Sequence, residues 1–114
     1  MIIDNGMKTR IMYIEFKGEG LTGDARIGRV KFSKTMKSIH YNGKLFLSLK
    51  GSGFKSNFYD EETGEEYWIS GCKKDGTDRL YNENSPIFID EDAQEEYWKD
   101  IRNMPEMIGT LRIN

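Results

Sequence analysis

The pair Asn42-Gly43 constrains this chain more than any other local feature. A two-residue hairpin turn of the primed type needs positive φ at both central positions, and Asn followed by Gly meets that need at least cost. The flanks alternate as strands do, with Ser38-Ile39-His40-Tyr41 before the turn and Lys44-Leu45-Phe46-Leu47-Ser48-Leu49 after it. An antiparallel hairpin is therefore predicted. Period-two alternation puts Leu45, Leu47 and Leu49 on one face, expected in the core, and leaves Lys44, Phe46, Ser48 and Lys50 on the other.

Strand signals recur on both sides of this hairpin. Arg10 to Lys17 alternates Met12, Ile14 and Phe16 with Ile11, Tyr13 and Glu15, so both faces are partly apolar. The glycines of Gly18-Glu19-Gly20-Leu21-Thr22-Gly23-Asp24 mark a loop. Arg26 to Phe32 then gives a second strand, with Ile27, Arg29 and Lys31 facing one way and Val30 and Phe32 the other. Phe54 to Tyr59 and Glu65 to Ser70 form a second hairpin about Asp60-Glu61-Glu62-Thr63-Gly64. A long polar loop with an Asp75-Gly76 turn fills Gly71 to Ser85, and Pro86-Ile87-Phe88-Ile89 makes a last short strand.

One helix is predicted, over about 90–103. Asp90 is the N-cap candidate, Ala93, Tyr97, Trp98 and Ile101 make the apolar stripe, and Pro105 ends it. Glu91, Asp92, Glu95 and Glu96 crowd its first half while Lys99 and Arg102 stand in its last turn, the polarity that the helix dipole favours. The expected fold is mainly β with one C-terminal α-helix, as a curled antiparallel sheet or a small open barrel of the SH3-like or OB-like kind. Residues 12–104 are read as one β-rich domain, residues 1–11 as an N-terminal extension or first strand, and residues 105–114 as a tail that is loose or adds an edge strand.

Composition narrows the function classes. At 114 residues the chain is too short for two independent cores of ordinary size, so one domain is expected, and fourteen aromatic residues can build its compact core. The longest apolar runs, such as Leu45-Phe46-Leu47 and Ile87-Phe88-Ile89, fall far short of the roughly 20 residues that span a bilayer. The first ten residues carry Asp4, Asn5, Gly6 and Lys8 in place of a secretory apolar stretch, so the cytoplasm is the expected location. The single Cys72 excludes an internal disulfide, and with His40 alone it falls short of a structural zinc site. No metal and no cofactor is expected.

Charge is distributed unevenly. Residues 1–59 carry a net charge of +7 and residues 60–114 one of −9, and the segment 26–55 holds eight Lys and Arg with no acid. Either the two halves neutralise each other in the fold, or a basic face meets a polyanion. For the second reading the candidate residues are Arg26, Arg29, Lys31, Lys37, Lys44 and Lys50, interleaved with Phe32, Tyr41 and Phe46 that would stack bases of a single strand. Gly51-Ser52-Gly53, between Lys50 and Lys55, is a candidate anion loop through its backbone amides.

Catalytic signals are sparse. Cys72 beside Lys73 and Lys74 would have a lowered pKa if exposed, and His40 is the one imidazole available to it, but no nucleophile signature surrounds either. The carboxylates of 60–66 and 90–96 read as a solvated turn and a helix N-terminus. No catalytic residue is assigned.

The run Ile69-Ser70-Gly71-Cys72-Lys73-Lys74-Asp75-Gly76-Thr77-Asp78-Arg79-Leu80-Tyr81, with Arg26-Ile27-Gly28-Arg29-Val30 before it and Glu96-Tyr97-Trp98 after it, resembles a family of short bacterial proteins of unknown function. The resemblance covers roughly Met12 to Met104. Members are sometimes labelled deoxyxylulose-phosphate synthase, a label that does not fit this chain. Such a thiamine-diphosphate enzyme needs several large domains and a Gly-Asp-Gly metal motif, whereas Gly23-Asp24-Ala25 is only a fragment of one. The resemblance implies no catalytic residues. The expectation is a small cytoplasmic non-enzymatic binding or interaction module, with single-stranded nucleic acid as the alternative ligand, a protein partner also open, and a small enzyme as the third reading.

Overall fold

The strand pattern closes on itself. In the computed structural model, which describes residues 8–18, 20, 23–33, 35, 37–49, 56–79 and 85–113, eight strands form one sheet. They are β1 (Lys8–Phe16), β2 (Ala25–Phe32), β3 (Ser38–Tyr41), β4 (Lys44–Ser48), β5 (Phe58–Asp60), β6 (Glu66–Gly71), β7 (Ile87–Ile89) and β8 (Arg112–Ile113). The first six run β1-β6-β5-β4-β3-β2 and return to β1, giving a closed antiparallel barrel. Closure defines an inside and an outside for each of these six strands.

Asn42 (φ 52°) and Gly43 (φ 77°) form the predicted turn, and Tyr41 pairs with Lys44 across it. That register places Ile39, Tyr41, Lys44 and Phe46 on one face, and this face points into the barrel. Phe46 is buried with Ile14, Val30, Phe32, Ile39 and Ile69. Leu45, Leu47 and Leu49 are only half-buried, so the predicted facing of β4 is inverted. Counting apolar residues favoured the three leucines, whereas partner strands decide the face: Phe46 lies opposite Ile39, while Leu45 lies opposite His40 and Leu47 opposite Ser38.

β1 and β2 are buried on both sides. Their inner residues join the barrel core, and Ile11, Tyr13, Ala25 and Ile27 face outward against Ile87, Ile89, Ala93, Tyr97 and Trp98. This second core explains why both faces of the 10–17 segment read as apolar. It is capped by α1 (Glu91–Glu96), which continues as a wider π-helical turn over Tyr97–Ile101, closed by the Arg102 amide donating to the Tyr97 carbonyl at 2.9 Å. The predicted stripe holds: Ala93, Tyr97 and Trp98 are buried, Ile101 partly so, and the Trp98 Nε1–H donates to the Thr110 carbonyl at 2.8 Å. The tail supplies an edge strand, β8, antiparallel to β7. Among the described residues no helix is long and apolar enough to cross a membrane.

One edge of β2 is shared by two strands. β3 pairs with it at Lys31 and Phe32, and β7 pairs in parallel at Ala25 to Ile27, so neither covers Gly28 and Arg29. This seam positions the site described next.

Candidate functional site

The seam opens at one end of the barrel. There a cavity of about 350 Å³ is lined by Ile14, Phe16, Asp24, Arg26, Tyr41, Asn42, Lys44, Phe46, Glu65 and Tyr67. Strand alternation brings them together: Ile14 and Phe16 come from the inner face of β1, Arg26 from β2, Tyr41 from β3, Lys44 and Phe46 from β4, and Tyr67 from β6. Deeper in the barrel, Val30, Phe32, Ile39 and Ile69 fill the interior. The cavity is thus a mouth rather than a channel.

Four aromatic rings wall this mouth. Tyr67 meets Phe16 with ring centroids 5.4 Å apart and planes at 65°, and Phe46 at 4.7 Å and 68°. Such edge-to-face contacts add to the area these rings bury and hold their planes at fixed angles.

Each cation of the mouth is held by a carboxylate behind it. The Arg26 guanidinium donates through Nε to the Asp90 carboxylate at 2.6 Å. Tyr41 donates its hydroxyl to the other oxygen of Asp90 at 2.5 Å, and burial followed by this bond raises the Tyr41 pKa far above its ordinary value. Asp90 occupies the expected N-cap position with extended backbone (φ −66°, ψ 140°), yet its side chain makes no capping bond, because the carboxylate turns to Arg26 and Tyr41 across the seam. On the opposite side the Lys44 ammonium reaches the buried Asp60 at 3.3 Å. Burial alone would raise the Asp60 pKa, but the Glu62 amide and the Lys44 ammonium hold it below the usual carboxylate value, and the same bond raises that of Lys44. Asp24 and Glu65, both exposed on the rim, have no cation partner among the described residues.

The predicted basic residues divide. Arg26 and Lys44 stand at the mouth. Arg29 lies on the outer face of β2, bound to Glu96 of α1 at 2.9 Å, and Lys31 and Lys37 are exposed on and beside the outer wall. Arg26 and Arg29 are paired by acids of the 90–96 segment. Lys50 and the loop Gly51-Ser52-Gly53 lie outside the described residues.

Sequence reasoning missed a buried charge cluster behind β1. Glu15, on the outer face, accepts from the Tyr13 hydroxyl at 2.5 Å, the Lys17 ammonium at 3.0 Å, the Gly23 amide at 3.1 Å and the Arg79 guanidinium at 3.3 Å. Arg79 also donates to the Gly23 and Pro86 carbonyls, both at 3.1 Å. Glu15 and Lys17 are 1% and 2% exposed, so these charges are sustained by one another. The cluster ties the loop after β1 to the segment between β6 and β7. Its one sequence signal was an acid at the position of an apolar strand where Ile11 and Tyr13 share the face.

Cys72 is partly buried behind β1, its thiol donating weakly to the Ile11 carbonyl at 3.8 Å, and burial next to Asp78 pushes its pKa up to about 12. The lowering by Lys73 and Lys74 expected for an exposed thiol does not occur, because the thiol is not exposed. His40 lies on the outer face of β3. Among the described residues no three His, Cys, Asp or Glu side chains are grouped to hold a metal ion. Comparison with protein-family models, with curated proteins and with solved structures finds no match to the chain.

Proposed function

We propose that the protein is a small, cytoplasmic, non-enzymatic binding module whose ligand site is the mouth of the barrel. The observation that carries this reading is the cavity itself, in which four rings from β1, β3, β4 and β6 surround about 350 Å³ of space beside fixed charges. Small-molecule sites are concave, mostly apolar and equipped with a few placed polar groups, and the mouths of β-barrels are a preferred location for them. The Cys72 thiol, protonated at neutral pH, supports binding rather than covalent chemistry.

Tyr67→Leu removes the ring that meets both phenylalanines while keeping the wall apolar. A panel of charged and neutral small molecules screened by calorimetry should yield a binder of the parent protein that Tyr67→Leu weakens at least tenfold at unchanged fold. Equal affinity in the variant for every binder found would place the site elsewhere.

Single-stranded nucleic acid is the second reading, favoured by the proximity of Arg26 and Lys44 to Phe16, Tyr41 and Phe46. Its test is oligonucleotide affinity across a salt series, with Arg26→Gln and Lys44→Gln together as the variant. Lost affinity with a shallower salt slope at unchanged stability supports it. Lost stability without any affinity assigns these charges to the fold.

A further inference from the structure

The charges around the mouth point to the chemical class of its occupant. Four carboxylates, Asp24, Asp60, Glu65 and Asp90, surround two cations, Arg26 and Lys44. Both cations are already bound, Arg26 by Asp90 and Lys44 by Asp60, so neither offers an uncompensated positive charge to an incoming group. Asp24 and Glu65 remain on the rim without a cation partner among the described residues. An anion entering here would meet those two carboxylates beside Arg26 and Lys44 and would have to compete with Asp60 or Asp90 for its counter-charge. A cation meets attraction at the rim.

The walls favour a cation as well. Aromatic faces carry negative quadrupole potential, and a cation near a ring centroid is attracted, more so when both are out of water. Tyr67 stands at 65° to Phe16 and 68° to Phe46, and Phe16 and Tyr67 are half-buried while Phe46 is buried behind them, so one group in the mouth can meet the Phe16 and Tyr67 rings at different orientations. A strongly hydrated ammonium or metal ion would lose its water for little return against phenylalanine. An alkylated ammonium, weakly hydrated and covered with methyl groups, loses little and also fills apolar space.

Resting on the mouth being the ligand site, we infer that it binds a small free organic cation of the quaternary or alkylated ammonium class. The charged head sits against Phe16 and Tyr67, with Asp24 and Glu65 supplying the countercharge at the rim.

The test uses three probes of the full chain by calorimetry and by aromatic-ring NMR: choline, its neutral isostere 3,3-dimethylbutan-1-ol, and benzoate. Choline should bind and shift the ring resonances of Phe16, Phe46 and Tyr67, with the neutral isostere about tenfold weaker and benzoate without effect. Asp24→Asn with Glu65→Gln, both exposed and remote from the core, should weaken choline several-fold and leave the isostere unchanged. Equal binding of choline and its isostere, or preference for benzoate, would overturn the cation assignment while leaving the mouth as a ligand site. If none of the three probes shifts any ring of the mouth, the cation assignment fails. If the wider panel screened against Tyr67→Leu then finds no binder sensitive to that change, the site itself fails too.

Discussion

Gly28 is the position where the architecture makes its sharpest demand. It sits on the inner face of β2 at the seam that β3 and β7 leave uncovered, and Tyr41 and Asp90 close over it. A Cβ built there would lie 2.5 Å from the Tyr41 ring and 2.8 Å from its hydroxyl, and would run into the Asp90 carboxylate as well. In an open strand Gly→Ala stabilises by roughly 0.4–1 kcal/mol through the unfolded chain. Here overpacking costs about 1–3 kcal/mol, and displacement of the Tyr41 hydrogen bond to a charged carboxylate costs about 1.5–3 kcal/mol when the bond is dry. Because Asp90 and Tyr41 are only partly buried, the lower ends apply, and the net expectation is a loss of about 2 kcal/mol. For a domain of this size that lowers Tm by roughly 8 °C. Thermal unfolding of Gly28→Ala measures it, and the same substitution in a Tyr41→Leu background should cost less than half as much. A neutral or stabilising Gly28→Ala, or an equal cost in both backgrounds, would refute the account of the seam.

Further outcomes follow from the same geometry. Trp98→Ala removes a side chain that is 2% exposed and should cost about 3–5 kcal/mol by chemical denaturation, while a change below about 1 kcal/mol would show that it does not anchor the helix. Glu15→Gln leaves Lys17 and Arg79 buried without their carboxylate and should destabilise by about 3–5 kcal/mol; a loss below about 1 kcal/mol would show the cluster to be dispensable. The Asp60 pKa is lowered from 3.8, so its contribution is present above that value and is lost as pH falls through the folded one. That of Lys44 is raised from 10.5, so its contribution is present below that value and is lost as pH rises through the folded one. Asp60→Asn should therefore flatten stability against pH at both limits, and an unchanged profile counts against the pair. Cys72, with its pKa near 12, should react with iodoacetamide at pH 8 far more slowly in the folded protein than after denaturation; equal rates would show an exposed thiolate.

Turn chemistry and helix periodicity were legible in the sequence because both are local. Asn42-Gly43 demands positive φ by itself, and the spacing of Ala93, Tyr97, Trp98 and Ile101 identifies a face without reference to any other element. What could not be read was which side of each strand faced inward once a second core lay outside the barrel. β4 shows the difficulty: its leucines outnumber Phe46, but the barrel interior takes the residue opposite Ile39. The mouth was legible only in fragments. Arg26, Tyr41, Lys44 and Phe46 were singled out for a basic aromatic face, yet Phe16 and Tyr67 join them through pairing across β1 and β6, and Asp90 and Asp60 arrive from distant segments to neutralise the two cations. The buried Glu15 cluster depends on Arg79, sixty-four residues away in sequence, and no local pattern announces it.

Whether ligand enters the proposed site at the barrel mouth is read directly from ring and methyl NMR shifts mapped across the chain during titration with choline. Saturable shifts are expected at Phe16, Phe46, Tyr67 and Ile14, with Trp98 and Ile87 of the outer core unmoved. Saturable shifts centred on the outer core or the outer wall of β2, with the mouth silent, would contradict binding there.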